Sequence, residues 1–459
     1  MEDLEAIASY MEENYVVDPL KSFLTVAFPN SGFTQPAYDK APEKRKIYAK
    51  KVLWSFQADT PISSEKCIYT GKPAVGLSLD VKNELPPGRT YRQHIPLVTG
   101  EDVINFHPYG DAGLPVSGEA LLAIQAFPLG CAKVGGRLLA VHSDDSSFAY
   151  RFAKHFLTEN RKAILAAQQA GEKKLAEPPR RVATLLIETL LELERERNEV
   201  QKDEEHPVSV TAYHLSNSGQ GIALDIYYLP LEITDFLRVA ITPRYITSWE
   251  KLKARGWEIV EGKRSKKKDG VEEVQQPRFN VLYEDLFRLP DEASQFIRRY
   301  FLRRPVRNKI PGDPRAGYSL LNEANLVSWD LTQLFLEKVV SMDKNRIEQI
   351  RKLGDVLAEY VNNENDRKFF HSFLTVKRYD NLRASLIRLN VARMKNYQDP
   401  VVSFDQYIEI FEQGEELPYS DWRLARDLVL IRMVERLHGL GWIEANKESL
   451  PDTEVFNEE

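Results

Sequence analysis

The stretch VSVTAYHLSNSGQGIALDIYYL, residues 208–229, contains the clearest β-hairpin of the chain. Its first arm, residues 208–215, alternates apolar and polar side chains, which is the period of a half-buried strand. The second arm covers residues 222–229. Between the arms, SNSGQG carries two glycines and small polar side chains, so its amides can approach another molecule closely. The hairpin predicts a sheet in the first half of the chain.

The residues before this hairpin mix turns, short apolar runs and helices. Ser117 is predicted to cap a short helix over residues 119–127, and residues 137–142 form a strand-like run. Two amphipathic helices are expected over residues 147–169 and 180–200.

The last quarter of the chain has a helical pattern throughout. Ser403 with Gln406 makes a capping box, and Ser420 is placed to cap a final helix with an apolar stripe from Leu428 to Leu437. We therefore predict an α+β fold. A large mixed N-terminal domain, residues 1–335, is followed by a C-terminal α-helical bundle of about four helices, residues 342–459.

Composition limits the class of protein. The chain has 459 residues, a formal net charge of -6 and 43% hydrophobic residues, as in ordinary folded proteins. No apolar run approaches the ~20 residues that cross a bilayer, so no membrane partner is expected. Cys67 and Cys131 lie far apart, which argues against a disulfide framework and favours a reducing, cytoplasmic location.

Basic residues are concentrated in the middle of this acidic chain. Residues 244–315 hold 18 basic and 11 acidic side chains. One cluster lies within residues 296–315, and its arginines predicted to contact DNA are Arg298, Arg299, Arg303, Arg304 and Arg307. Concentrated arginine in an acidic protein indicates a site for a polyanion, because guanidinium groups match phosphate oxygens. The alternative is a solvated helix face that pairs with acids elsewhere.

A second basic cluster lies between two strand-like runs, residues 257–260 and 271–275, and is interpreted as the tip of a basic hairpin over residues 255–275. Its members are Lys263, Arg264, Lys266, Lys267 and Lys268. A basic region of this kind suits a nucleic-acid groove in a multi-subunit particle, or a contact surface for an acidic protein partner.

A third phosphate surface is predicted in the helical tail. Residues 367–395 contain eight basic residues and one acid, Asp380. Arg378, Arg383, Arg388 and Arg393 recur every five residues, which rotates each about 140° from the last on a helix. Some of them must therefore point away from any single ligand.

Two other groups of residues each have a functional and a purely structural interpretation. His142, Asp144 and Asp145 could bind a metal for a nuclease, although an aspartate that caps the next helix explains them equally well. In the hairpin loop, Asn217, Ser218 and Gln220 either read base edges or form a plain turn. Nothing assembles a catalytic constellation, so we predict a protein that is not an enzyme and needs no cofactor.

Several segments together resemble a known family. They are FPNSGFTQPAYDK, CIYTGKPA, INFHPYGDAGLPVSGEALLAIQAFPLG and YHLSNSGQGIALDIYYLP, in order over most of residues 15–230. This order is similar to the large subunit, of the Cas-eight family, of type I-B CRISPR Cascade effectors. In relatives the region around Cys67 often has half a zinc knuckle, C-x-x-C-G. Thr70 stands at the second cysteine position here, which puts zinc in doubt.

The resemblance implies a non-catalytic subunit of a crRNA-guided antiviral surveillance complex. Such a subunit recognises the protospacer-adjacent motif in double-stranded DNA, helps to open the duplex and stabilises the R-loop. It implies contacts with the crRNA, the backbone and crRNA-handle-binding subunits, and small subunits. A helicase-nuclease or a transposition adaptor would be recruited downstream.

On this interpretation, Asn217, Ser218 and Gln220 make close DNA contacts and residues 263–268 engage duplex phosphates. Arg298–Arg307 would bind the strand or a neighbouring RNA-bearing subunit. The family also suggests that the helical tail is made separately by translation from Met342; the alternative is an ordinary boundary residue. Replacing Met342 with Leu should then abolish a short C-terminal product.

Overall fold

A computed structural model describes residues 2–98, 112–200, 206–217, 221–258, 264–266, 272–274, 278–303, 320–412 and 421–450. The chain divides into two compact units. Unit 1 comprises residues 1–193 and 208–229, and unit 2 comprises residues 194–207 and 230–459. The predicted division into residues 1–335 and 342–459 differs from this one, because residues 230–341 belong to the same unit as the helical tail.

Unit 1 combines helices with short antiparallel strands. Its elements are α1 (Glu2–Asn14), α2 (Asp18–Leu24), α3 (Pro36–Asp39), α4 (Pro42–Leu53), β1 (Ile62–Lys66), β2 (Pro73–Val75), β3 (Arg89–Thr90), β4 (Leu114–Pro115), α5 (Gly118–Ala126), β5 (Ala132–Val134), β6 (Arg137–His142), α6 (Ser146–Gln169), α7 (Val182–Val200), β7 (Val210–Ser216) and β8 (Ala223–Leu229). Helix α7 continues past the boundary of the unit.

The main sheet of unit 1 has four antiparallel strands in the order β5-β6-β7-β8. The hairpin predicted from residues 208–229 supplies β7 and β8, with Val210 opposite Leu229 and Ser216 opposite Ala223. Strand β7 buries Val210 and Ala212 completely, as its alternating pattern requires. Leu138 and Leu215, which face each other across β6 and β7, join a large apolar core with residues of α1, α2, α4 and α5.

His94 is fully buried in this unit, where its ring lies parallel to that of Tyr48 at a centroid distance of 6.1 Å. Its Nδ1 accepts a hydrogen bond from the Tyr91 amide at 3.3 Å. Burial lowers the pKa of His94 from 6.5 to about 4, because the charged imidazolium would lose its hydration. The folded protein therefore holds His94 neutral at neutral pH.

This burial predicts an acid-sensitive unit 1. As the pH falls from about 7 to about 5, the unfolded chain binds a proton at His94 before the folded chain does, which removes roughly 2 kcal/mol of stability. The stability that neutral His94 contributes is fully present above the pKa of His94 in the unfolded chain. It is lost as the pH falls towards the pKa of His94 in the folded chain. Urea unfolding of the wild type and of His94→Gln at both pH values measures how much stability each protein loses. Equal pH dependence in both proteins would contradict the assignment.

Unit 2 is predominantly helical. Its elements are α8 (Leu231–Ala240), α9 (Ile246–Glu258), β9 (Arg264–Lys266), β10 (Glu272–Val274), α10 (Val281–Leu286), α11 (Ala293–Phe296), α12 (Leu320–Ala324), α13 (Trp329–Lys338), α14 (Lys344–Glu364), α15 (Arg367–Thr375), α16 (Tyr379–Lys395), α17 (Phe404–Phe411), α18 (Trp422–Gly439) and α19 (Trp442–Ala445). A π-helical turn, Ile297–Phe301, follows α11.

Helix α18 is the central helix of unit 2. Its predicted stripe, Leu428, Ile431, Val434 and Leu437, is completely buried. Helix α14 packs against it at Gly354, where a Cβ atom would lie 2.7 Å from Arg432 Cβ. A glycine at this position lets the two helices approach closely.

The α+β fold with a C-terminal helical region is confirmed. Ser117 and Ser403 cap α5 and α17 as predicted, whereas Asp421 caps α18 and Ser420 lies outside the described residues. In the described part of residues 342–459, five helices have eight or more residues, where about four were predicted.

The strand-like assignment of residues 257–260 is wrong at Trp257 and Glu258, which end helix α9. Trp249 and Leu252 extend a buried helical stripe to this point, and that stripe outweighs the local strand preference. The basic hairpin itself is present as β9 paired with β10, so Arg264 and Lys266 lie on a strand and not at its tip. Lys263, Lys267 and Lys268 lie outside the described residues.

Candidate nucleic-acid interface

The first arginine cluster begins in the π-helical turn after α11, and its described members pair with carboxylates of the same unit. Arg298 Nε donates to Asp427 Oδ2 at 2.6 Å, and Arg299 pairs with Asp285. Arg303 is 1% exposed and pairs with Glu323. These contacts favour a stabilising role within unit 2 over an open phosphate site. Arg304 and Arg307 lie outside the described residues, and DNA contact by this cluster stays a prediction.

Asn217 at the end of β7 is fully buried. Its Nδ2 donates to the carbonyl oxygens of Ala27 and Arg92 at 3.3 and 3.2 Å, and its backbone amide donates to Val26 at 2.9 Å. The side chain therefore ties the end of the strand to two other segments of unit 1, and its amide does not face solvent. Ser218 and Gln220 lie outside the described residues.

The region around Cys67 is a hydrogen-bonded turn next to the N-terminus of α5. Thr70 Oγ1 lies 3.2 Å from Ser117 Oγ. Burial raises the pKa of the Cys67 thiol, but hydrogen bonds from Thr70 and Ser117 outweigh it and lower the pKa to about 7. Thr70 thus helps to stabilise the thiolate form of Cys67.

The aspartates of the candidate metal site bind backbone amides. Asp145 Oδ1 accepts from Ser147 and Phe148 and caps α6, while Asp144 Oδ1 accepts from the Ser209 amide at 2.8 Å. Desolvation raises the pKa of Asp144, but its hydrogen bonds with Ser209 and Ser143 outweigh this effect and lower the pKa. In the described part of the chain, no group of three His, Cys, Asp or Glu side chains is placed to hold a metal ion.

Helix α16 has two unlike faces. Leu382, Leu386 and Leu389 are buried in unit 2. On the outer face, Ile387, Val391 and Met394 are 52%, 46% and 61% exposed. Their spacing of four and three residues places them in one stripe along the helix. An apolar stripe in water is unusual for a surface that has no ligand or partner.

Helix α17 borders this stripe and adds an exposed aromatic ring. Ser403 Oγ accepts from the Gln406 amide at 3.2 Å, so the helix begins at Phe404, whose side chain is 73% exposed. Asn390 of α16 bonds both the Val401 amide and the Val402 carbonyl oxygen at 2.8 Å, which fixes α17 beside α16.

A groove of about 190 Å³ lies between the two helices. Its lining residues are Arg383, Leu386, Ile387, Asn390, Val402, Ser403, Phe404, Tyr407 and Glu412. Glu412 is buried and accepts a hydrogen bond from the Tyr379 hydroxyl. Burial and this carboxylate both raise the pKa of Tyr379, so the phenol stays protonated and keeps the acid covered. The groove therefore presents an apolar floor with a guanidinium at its edge.

The four arginines of the predicted phosphate surface, one just before α16 and three within it, differ in what they contact. Arg378 pairs with Asp380 at 2.7 Å. Arg383, Arg388 and Arg393 have no carboxylate within ion-pair distance among the residues that the structure describes, although Arg388 Nε donates to the Ala384 carbonyl and Arg393 Nε to that of Asp399. Three of the four arginines of the predicted phosphate surface therefore have no carboxylate partner in this part of the chain, and phosphate binding by them stays a prediction.

Helical geometry separates these three further. Relative to Ile387, Arg383 lies about 40° to one side, Arg388 about 100° to the other, and Arg393 about 120° away beyond Arg383. Arg383 and Arg388 therefore flank the apolar stripe, and Arg393 points away, as the five-residue spacing predicts. We call the resulting surface the α16–α17 face, and it comprises Arg383, Ile387, Arg388, Val391, Met394 and Phe404.

Sequence reasoning missed Phe404 and the apolar stripe of this face. A signal was present: Ile387, Val391 and Met394 lie on the side of α16 opposite its leucines. Exposure depends on tertiary packing, however, and a bundle helix with apolar residues on two sides is normally covered on both.

No family model, curated protein or solved structure matches the chain. Within its described residues, no helix is long and apolar enough to cross a membrane.

Proposed function

We propose that the α16–α17 face binds single-stranded nucleic acid. Proteins that bind single strands combine arginine or lysine, which track the phosphates, with exposed aromatic rings on which bases stack. Phe404 lines a groove with an apolar floor that has Arg383 at its edge, and Arg388 lies on the far side of the apolar stripe of α16; together they supply this combination. The observation that carries the proposal is the exposed ring of Phe404 on the same groove as Arg383, an arginine that has no carboxylate partner in the described part of the chain.

More specifically, the chain acts as the non-catalytic large subunit of a cytoplasmic, crRNA-guided type I-B CRISPR surveillance complex. The ordered resemblance over residues 15–230 supports this assignment. The subunit recognises the protospacer-adjacent motif in duplex DNA, aids duplex opening and recruits a helicase-nuclease or a transposition adaptor. The α16–α17 face then contacts the displaced strand, because that strand is unpaired and exposes its bases.

The first test is single-strand binding by the purified chain, followed by fluorescence anisotropy of a labelled oligonucleotide. Arg383→Glu/Arg388→Glu is expected to weaken binding at least about tenfold and to lower the salt slope by about 1.4, which is about 0.7 for each phosphate contact on a single strand. Phe404→Ala is expected to weaken the free energy of binding by about 1–3 kcal/mol, with little change in the salt slope.

A matched control makes the same change of charge at residues that are distant in sequence from the α16–α17 face. Lys46→Glu/Lys162→Glu replaces two lysines on α4 and α6 that are 70% and 68% exposed. This control should bind nearly as tightly as the wild type. Equal losses in both double variants would show a general charge effect and contradict the proposed face.

The complex itself is tested by purifying the tagged chain from its native operon and analysing bound RNA. A discrete guide-length RNA with co-purifying subunits supports the surveillance complex. Protein without RNA or partners at low salt would overturn that assignment and favour a scaffold that binds an acidic partner. The single-strand result is independent of this outcome.

A further inference from the structure

Unit 1 contains a cavity that the α16–α17 face does not include. It has a volume of about 420 Å³, more than twice that of the groove between α16 and α17. The cavity lies between α1, α6 and the turn Phe127–Gly130 that follows α5. Most of its lining is apolar, including Leu129, Ala153 and Leu157. Size and lining are both typical of a site for a small molecule.

Buried hydrogen bonds hold the walls of this cavity in place. Asn160 of α6 is 9% exposed, and its Nδ2 donates to the carbonyl oxygens of Leu129 and Cys131 at 3.0 and 2.8 Å. These bonds fix the turn against α6. The buried Tyr15 hydroxyl, just after α1, donates to the Gln125 carbonyl oxygen at 2.5 Å and joins α1 to α5. The cavity is therefore formed by the fold itself, as sites for small molecules usually are.

Two exposed basic side chains border the cavity on α6. Lys154 and Arg161 lie seven residues apart, which places them two turns apart and within about 20° of each other around the helix. Lys162 pairs with Glu159, whereas Lys154 and Arg161 have no carboxylate within ion-pair distance in the part of the chain that the structure describes. This edge of the cavity therefore carries positive charge, which attracts an anion.

The extent of the cavity favours a small molecule over a segment of another protein. On α1, only residues from Ala6 to Tyr10 line it, which is about 6 Å of helix. A docked amphipathic helix is anchored at positions i to i+7, or about 10 Å. The Arg161 guanidinium lies 5.7 Å from the centroid of the Tyr10 ring, and these are the last lining residues of their two helices. Their contact therefore limits the cavity at that end.

We propose that this cavity binds a small amphiphilic anion, namely a carboxylate on an alkyl body of medium length. The apolar lining receives the alkyl body, because removing apolar surface from water is favourable. The carboxylate lies at the α6 edge, where Lys154 and Arg161 supply charge-assisted contacts. A cationic amphiphile would meet two like charges there, and a neutral one would gain neither ion pair.

Isothermal titration calorimetry of the full chain with decanoate, decanol and decyltrimethylammonium tests the choice of charge. One decanoate is expected to bind per chain, at least about tenfold more tightly than decanol, and the cation should not bind. Lys154→Glu/Arg161→Glu should weaken decanoate binding at least about tenfold and leave decanol binding unchanged. The control Lys46→Glu/Lys82→Glu changes two lysines outside the cavity that are 70% and 74% exposed, and it should bind decanoate like the wild type.

Photo-cross-linking with a diazirine derivative of decanoate, followed by peptide mapping, tests the location. Attachment is expected within residues 6–10, 126–130 and 150–161. Attachment at the α16–α17 face, equal binding of decanoate and decanol, or equal affinities in the two double variants would each overturn the proposal. So would a cavity that binds none of the three compounds, or one that is filled by a side chain of a partner protein or of a second copy. The proposal does not depend on nucleic-acid binding.

Discussion

Replacing Asp427 with Ala is expected to destabilise unit 2 by about 3–5 kcal/mol, because the change leaves buried guanidinium charge without its counter-charge. Asp427 on α18 is completely buried. Its Oδ2 accepts from Arg298 at 2.6 Å, and its Oδ1 lies 2.8 Å from Nε of Arg426, whose side chain is 3% exposed. Arg426 also donates to the Val376 carbonyl oxygen at 2.7 Å, so it cannot turn to water without losing that bond as well.

Hydrogen exchange of α18 measured by mass spectrometry reports on this unit separately from unit 1. The Asp427→Ala chain should exchange the amides of α18 far faster than the wild type. Asp380→Ala is the matched control, since it removes the carboxylate from an exposed pair with Arg378, and its exchange should be unchanged. Equal exchange in the two variants would show that the buried pair does not stabilise the fold.

Gly118→Val is expected to lower the free energy of unfolding of unit 1 by more than about 3 kcal/mol, or to prevent its folding. The reason is that overpacking against a backbone cannot be relieved by a rotamer change. Gly118 is the first residue of α5. A Cβ atom there would overlap the carbonyl group of Ser55 and the amide of Phe56, just after α4. The helix could then dock only if one of the two backbones moved.

The test compares the melting temperature of Gly118→Val with that of the control variant Gly439→Ala. Gly439 is the last residue of α18, and no atom lies within 4 Å of the position that a Cβ would take there. Its replacement should therefore be neutral or stabilise by up to about 1 kcal/mol. A Gly118→Val chain that melts at the wild-type temperature would contradict the close approach described for α5.

Much of the fold could be predicted because its signals are local. The cap at Ser117, the strand at residues 137–142, the hairpin of β7 and β8 and the buried stripe of α18 each depend on residues within a few positions of one another. The end of α9 was not predicted. Its helical state depends on packing of Trp249 and Leu252, while the residues after Trp257 favour a strand.

The candidate site was predicted less well, for a related reason. Clusters of arginine are visible in the sequence, but the carboxylates that pair with them are not. Asp427 lies 129 residues after Arg298, so no window of sequence shows the pair. The arginines around α16 were recognised as a phosphate surface, and their spacing predicts that they point in different directions. Only the packing of α16 against α17 shows that Arg383 lies on the same groove as the exposed ring of Phe404.

The same long-range pair has a consequence for synthesis on the ribosome. At about 5–20 residues per second, about 6–26 seconds pass between the translation of Arg298 and that of Asp427. During that interval the nascent chain carries Arg298 before α18, which holds its partner Asp427, has been translated. Unit 2 therefore cannot complete its fold until its last long helix has left the exit tunnel. We expect nascent chains stalled before Trp422 to remain protease-sensitive over residues 278–412, however long the stall lasts.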